Sequence, residues 1–248
     1  MTSAVLGIDV GGSSVKAGLV DVQAGRLLGS LLSVPTPRPA TPAALTAVFG
    51  ELAARLPGST GRVGVAFPSV IKSGTAFTAA HIDAAWLGTN GERLAAAALG
   101  RPVLFLNDAD AAGIAEMRFG SGRGCTGTVI MLTFGTGIGT ALFAGGTLYP
   151  NTELGHLELH GMDAETWASA YARTAERLDF AAWIARVNDY LLAMHRLFWP
   201  DVFILGGAVS ERFAEFAPLL RAPTELRAAH FAGQAGVVGA ALAAAEAG

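Results

Sequence analysis

A single cysteine, Cys125, stands in 248 residues, so neither an internal disulfide nor a cysteine-rich metal site can form. A reducing cytoplasm is the expected location. Lysine is nearly as scarce: only Lys16 and Lys72 occur, and almost every other positive charge is an arginine, whose planar fork suits phosphate but is also common on ordinary surfaces. Charged residues make up 15% of the chain and the net charge is -3, which gives no general attraction to nucleic acid or to an anionic membrane. Any polyanion must be held locally. No run reaches about 18 uninterrupted apolar residues. The N-terminus lacks a charged region followed by an apolar one, so neither membrane insertion nor export is expected. Repeats of 20 to 50 residues are absent, which excludes a solenoid.

Apolar residues supply 52% of the chain and glycine 32 positions, the balance of a compact α/β enzyme. Ala4 to Val10 is an apolar run ending at Gly11-Gly12, after which Val15, Ala17 and Leu19 alternate with other residues, predicting a β-hairpin. Pro35, Pro37, Pro39 and Pro42 predict a loop, Ala43 to Leu56 a helix, and Arg62 to Phe67 a third strand. Glu92 to Leu99 reads as a helix, Pro102 to Leu106 as a strand and Ala109 to Phe119 as a helix, with a lobe boundary in the turn Gly120 to Gly127. Val129 to Thr133 and Gly139 to Phe143 then flank a second glycine-rich turn. Two similar halves are implied. Ala164 to Trp199 is mostly helical, Val202 to Leu205 a strand, and Gly236 to Ala247 a closing helix.

The first turn, Gly7-Ile8-Asp9-Val10-Gly11-Gly12-Ser13-Ser14-Val15-Lys16, is neither a P-loop nor a dinucleotide fingerprint, because it opens into a strand rather than a helix. Backbone N–H groups of such a turn can still form an anion nest. Asp9 could hold a hydrated Mg²⁺, and Lys16 could neutralise a phosphate oxygen. The plain alternative is a tight hairpin without a ligand. The second turn, Leu132-Thr133-Phe134-Gly135-Thr136-Gly137-Ile138-Gly139, has the same shape but brings hydroxyls, Thr133 and Thr136, where the first brings Asp and Lys. Paired phosphate hairpins suggest the actin and hexokinase architecture.

Together with Asn107-Asp108-Ala109-Asp110-Ala111-Ala112-Gly113, Pro150 to Glu158 and Leu205-Gly206-Gly207, in this order, these segments resemble the ROK family of sugar kinases, and most closely its polyphosphate-using glucokinase branch. The resemblance implies a two-lobe actin/hexokinase-like ATPase fold, with ribonuclease H-like lobes and sugar and donor meeting in the interlobe cleft. The expected lobes are 1–112 plus 236–248, the smaller, and 113–235, the larger. Asp108 is then the base that accepts a proton from the attacking sugar hydroxyl. Read without the resemblance, Asp108 or Asp110 would cap the next helix. Asn107, Asp108, Glu153, His156 and Glu165 become sugar ligands. Asp9, Gly11, Gly12, Ser13, Ser14, Lys16, Thr133, Gly135, Thr136, Gly137, Gly206 and Gly207 become donor-binding positions, with Mg²⁺ at Asp9 through water. Gly206-Gly207 read alone is only a strand-to-helix turn.

Many ROK proteins carry a cysteine-rich zinc motif after this His, but no cysteine follows Cys125, so no zinc is expected and the pattern resembles the polyphosphate-using branch. The implied reaction is phosphorylation of glucose at its 6-hydroxyl from polyphosphate or ATP, in a homodimer that binds neither nucleic acid nor membrane. Alternatives are an ATP-dependent hexokinase for mannose, fructose or an amino sugar, and a non-catalytic sugar-binding regulator. Arg118 and Arg123 are candidate contacts for a longer phosphate chain. Two positions depart from the family: His81 stands where Asn is usual, and Ser69 follows Pro68 where Gly is usual.

Overall fold

The computed structural model describes residues 4–247. In chain order the strands are β1 (Ala4–Val10), β2 (Ser14–Asp21), β3 (Arg26–Leu27), β4 (Leu32–Pro35), β5 (Val63–Phe67), β6 (Ile71–Lys72), β7 (Thr75–Ala76) and β8 (Val103–Asn107). They continue with β9 (Thr128–Phe134), β10 (Ile138–Ala144), β11 (Thr147–Tyr149), β12 (Glu158–Leu159), β13 (Met162–Asp163), β14 (Val202–Gly206) and β15 (Glu225–Ala228). The helices are α1 (Pro42–Arg55), α2 (Gly91–Leu99), α3 (Asp108–Phe119), α4 (Ala164–Ala168), α5 (Ala170–Ala175), α6 (Phe180–Phe198), α7 (Phe213–Phe216) and α8 (Ala235–Glu246). The chain divides into two compact units, Met1–Phe119 with Gln234–Gly248, and Gly120–Gly233. The division therefore falls at the end of α3. The expected boundary at 112 lies inside that helix, where a break would sever its hydrogen-bonded ladder.

The first unit carries a sheet in the order β3-β2-β1-β5-β8, with β4 also on β2. β4 precedes the expected loop and shares only Pro35 with it; residues 36–41 are irregular. Its paired residues run from Leu32 to Pro35, and Pro35 closes the strand where its missing N–H is tolerated. β1 and β2 are antiparallel, whereas β1–β5 and β5–β8 are parallel. Alternation along β1 decides the two faces. Leu6, Ile8 and Val10 join Leu45, Phe49 and Leu52 of α1 and the touching rings of Phe67, Trp86 and Phe105 in one buried cluster. Gly7 lies on the opposite face, against α8, where a Cβ would collide with the Val237 carbonyl; Gly64 of β5 meets the Ala240 carbonyl in the same way. These two glycines let a whole helix lie on the strands. Asp9, two residues beyond Gly7, shares that face, and its carboxylate lies against Gly236 in the first turn of α8.

The second unit repeats the plan as β11-β10-β9-β14-β15. The hairpin β9–β10 is antiparallel and β14 runs parallel to both β9 and β15. Ile130, Leu132 and Phe134 pack against Trp183, Ile184, Val187, Tyr190, Leu191 and Met194, which recur at helical spacing along α6. Asp179 caps that helix by accepting the Ala182 N–H at 2.8 Å. β2-β1-β5-β8 and β10-β9-β14-β15 thus have the same order and sense.

Candidate active site

In the first unit the parallel strands β1, β5 and β8 end on the same side, the usual place for ligands in α/β sheets. Asp9, next to the last residue of β1, stands directly opposite Lys16 of β2; Asn107 ends β8 and Asp108 opens α3. In the turn between β1 and β2, the Gly11 N–H donates to the Ser14 carbonyl at 2.9 Å. Thr36 then takes the turn's carbonyls, its hydroxyl donating to Gly11 at 2.6 Å and its N–H to Ser13 at 3.1 Å. The N–H groups of Gly12 and Ser13 have no acceptor among the described residues. Burial pushes the Asp9 carboxyl up to about 7, repulsion from Asp108 adds to the rise, and Lys16 opposes it. Asp108 is likewise raised, chiefly by burial; its own hydrogen bond from the Ala109 N–H, 2.8 Å, and the nearby His81 act against the rise.

Two carboxylates in one poorly solvated place repel, and that repulsion is what a divalent cation relieves. Among the described residues no group of three or more His, Cys, Asp or Glu could enclose a metal. Asp9 fits Mg²⁺ all the same, because that ion usually keeps several waters and takes one or two carboxylates together with substrate phosphates.

Asn107, not Asp108 or Asp110, caps α3: its side-chain oxygen accepts the Asp110 N–H at 3.0 Å. Its amide nitrogen donates to the Ser69 carbonyl at 3.1 Å, leaving one amide hydrogen for a ligand. Because its neighbour supplies the cap, Asp108 makes only the local bond from the Ala109 N–H through Oδ1. Ser69, buried, binds Thr78 through its hydroxyl at 2.8 Å, so the departure Pro68-Ser69 anchors the loop that carries His81.

In the second unit Thr133 and Gly206 are register partners, which puts the β9–β10 turn beside the turn after β14. Gly207 has φ 83° and ψ 175°, a region open only to glycine, and a Cβ there would strike the Phe134 carbonyl. Gly135 is different. Its φ is not positive and a Cβ on it would meet nothing within 4 Å. Its N–H donates to the Gly137 carbonyl and its carbonyl accepts the Tyr171 N–H, both at 3.0 Å. Gly135 and Thr136 are exposed, and the N–H groups of Thr136 and Gly137 have no acceptor among the described residues.

The loop bearing Glu153 and His156 is stapled onto β10. Thr140 Oγ1 donates to the Thr152 carbonyl at 2.7 Å and accepts the Leu154 N–H at 3.1 Å, and Gly155 has no room for a Cβ against the Ile138 carbonyl. Glu153 Oε2 lies 3.6 Å from His156 Nε2. Glu165, on α4, reaches back to the turn, accepting the Ile138 N–H at 3.2 Å while standing 3.8 Å from His156 Nδ1. Glu153, His156 and Glu165 are thereby gathered beside the second glycine turn. Sequence reasoning missed Asp163, whose Oδ2 lies 2.8 Å from His156 Nδ1. Arg118, a candidate phosphate contact, is ion-paired with Glu246 at 3.1 Å.

Two sheets of equal strand order, each opening on a glycine-turned hairpin, define the actin/hexokinase-like class of sugar kinase folds. Within that class the chain belongs to the ROK family, whose profile matches residues 5–168. It is 44% identical over 238 residues to a polyphosphate glucokinase of Mycobacterium tuberculosis, covering 96% of this chain and 89% of that one. Among solved structures it resembles the inorganic polyphosphate/ATP-glucomannokinase of Arthrobacter sp. strain KM, with 46% identity, TM-score 0.94 and coverage of 99% and 100% of the two chains. It also resembles a ROK family glucokinase from Streptomyces griseus solved with glucose and AMPPNP, with 25% identity, TM-score 0.85 and coverage of 98% and 99%.

Proposed function

We propose that this protein transfers a phosphoryl group from inorganic polyphosphate or ATP to the 6-hydroxyl of glucose. The observation that carries the reading is Asp108, a carboxylate that is not the helix cap, raised by burial and near enough to Asp9 to raise it in turn, in a chain so similar to polyphosphate glucokinases. Asp108 accepts the proton of the attacking hydroxyl, and its raised pKa makes it a stronger base than an ordinary carboxylate. Glu153, His156 and Glu165 orient the sugar through its other hydroxyls. Lys16 and the Gly11 to Ser14 turn in the first unit, and the N–H groups of Thr136 and Gly137 in the second, are each suited to bind phosphoryl oxygens. When bound near Asp9, Mg²⁺ supplies charge neutralisation of the donor.

The relative named as a glucomannokinase makes mannose the second acceptor to try, with exposed His81 near Asp108 as the place where choice would be expressed. We further propose a cytoplasmic homodimer. Exposed Trp199 and Leu197 at the end of α6 support such an interface. Among the described residues no helix is long and apolar enough to cross a membrane. The test is a coupled assay for glucose 6-phosphate with polyphosphate and with ATP. Absence of product with both donors overturns the kinase reading.

A further inference from the structure

We propose that Asp163 is the positioning residue of the sugar site, taking the Nδ1–H of His156 so that Nε2 is aimed, beside Glu153, at a sugar hydroxyl. This rests on the kinase reading for the identity of the sugar; the pairing itself stands on geometry.

Asp163 is placed by local structure. β12 and β13 pair Glu158 with Asp163 and Leu159 with Met162, leaving His160 and Gly161 as a two-residue turn with φ 56° and 79°. Immediately outside Asp163, the Ala164 N–H donates to the Leu157 carbonyl at 2.9 Å. His156 and Asp163 are therefore neighbours of a hydrogen-bonded pair that closes the hairpin. An ionised carboxylate can only accept, so the 2.8 Å contact puts the proton on Nδ1. Nε2 then faces Glu153 Oε2 across 3.6 Å, too long for a hydrogen bond and suited to a hydroxyl that joins the two.

The charged groups facing the ring are Asp163 from β13, Glu153 from the preceding loop and Glu165 from α4, with Tyr190 of α6 beside Glu165. Burial opposes charging of His156, but the Asp163 hydrogen bond and the three carboxylates outweigh it and raise its pKa. With Asp163 present, the ring is held in one orientation and stays charged to higher pH. Glu153 keeps its counter-charge over the same range.

Two substitutions separate these effects. Asp163→Asn retains an acceptor for Nδ1–H and removes the charge; Asp163→Ala removes both. Because the Asp163 side chain is 53% exposed, neither should disturb folding. Glucose dissociation constants by calorimetry between pH 5.5 and 9, with imidazole ¹⁵N NMR of His156, give the readout without needing turnover. Asp163→Ala is expected to weaken glucose about tenfold throughout, the loss of one hydrogen bond to a charged group. Asp163→Asn should bind as the wild type does at low pH and lose affinity at a lower pH than the wild type. In both variants the His156 titration midpoint falls. An unchanged midpoint and unchanged glucose affinity in Asp163→Ala would overturn the proposal. Failure of the kinase reading looks different: the wild type would form no glucose 6-phosphate while the His156 midpoint still moved.

Discussion

The two glycine hairpins have the same strand order around them but are built for different work. In the first, between β1 and β2, the turn's carbonyls are tied down by Thr36, and the flanking strands place Asp9 opposite Lys16. Charge is concentrated there, with Asp108 added from the end of β8. In the second, between β9 and β10, the flanks carry hydroxyls and no ionised group. The turn is instead tied to its surroundings by Tyr171 and Glu165. The duplicated scaffold gathers titratable groups, Asp9, Lys16 and Asp108, at the first turn, and sets Glu153, His156 and Glu165 beside the second. The repeat explains the fold, and the departures from the repeat explain the site.

The most severe way to break this contrast is Asp108→Asn. Turnover should fall by about 10²–10⁴, the usual contribution of a positioned general base, while glucose affinity changes less than about threefold. Since Asn107 supplies the cap of α3, the melting temperature should stay near that of the wild type. A variant with near-normal turnover removes Asp108 as base and with it the chemical distinction between the hairpins.

Next in size is Gly207→Ala. At φ 83° and ψ 175°, with the Phe134 carbonyl in the way, the added methyl should cost about 3 kcal/mol or more of stability, read by urea unfolding. Full stability would mean that the turn after β14 moves freely, and its place beside Thr133 would lose its structural basis.

Asp9→Asn probes the charge held by the first hairpin. In the folded chain Asp9 keeps its proton to about pH 7, against an ordinary 3.8, so the folded state binds a proton that the unfolded state has released. Stability of the donor-free, metal-free protein therefore falls as pH rises through that window. Asn removes the slope, and at pH 8 it should stabilise by on the order of 1–3 kcal/mol, less than the whole shift because Asp9 is partly exposed. Turnover should fall at the same time. A variant equally or less stable than the wild type at pH 8 would show that the Asp9–Asp108 repulsion is already relieved within the protein.

Much of the framework was legible because period and burial agree: Leu6, Ile8 and Val10 alternate, and the α6 residues Trp183, Val187, Tyr190 and Met194 recur at helical spacing. β15 was not legible, because Leu226 and Ala228 alternating with Glu225 and Arg227 make a pattern only four residues long. The capping role of Asn107 was hidden among three residues within four positions, Asn107, Asp108 and Asp110, that all favour caps. Asp163 was missed because its partnership with His156 arises from a hairpin, not from either residue's own sequence signal. Tyr190, donating to the Leu154 carbonyl at 3.1 Å, reads in the sequence only as a core aromatic.

Glycines 135 and 207 look alike in sequence and differ in what requires them, which makes Gly135→Ala the finest test of the second hairpin. Nothing in the fold asks for glycine at 135: the backbone is open to any residue and the space beyond the missing Cβ is empty. The requirement must then come from what occupies that space during the reaction. A methyl group there should leave the melting temperature within about 2 °C of the wild type, since surface substitutions of this kind seldom shift stability by more than 0.5 kcal/mol or so. It should raise KM for polyphosphate and for ATP about tenfold by keeping phosphate from the exposed N–H groups of Thr136 and Gly137, with KM for glucose little changed. If both donor constants stay at wild-type values, the second turn does not approach the donor. The pair of hairpins would then be a structural repeat with a single phosphate site at Gly11 to Ser14.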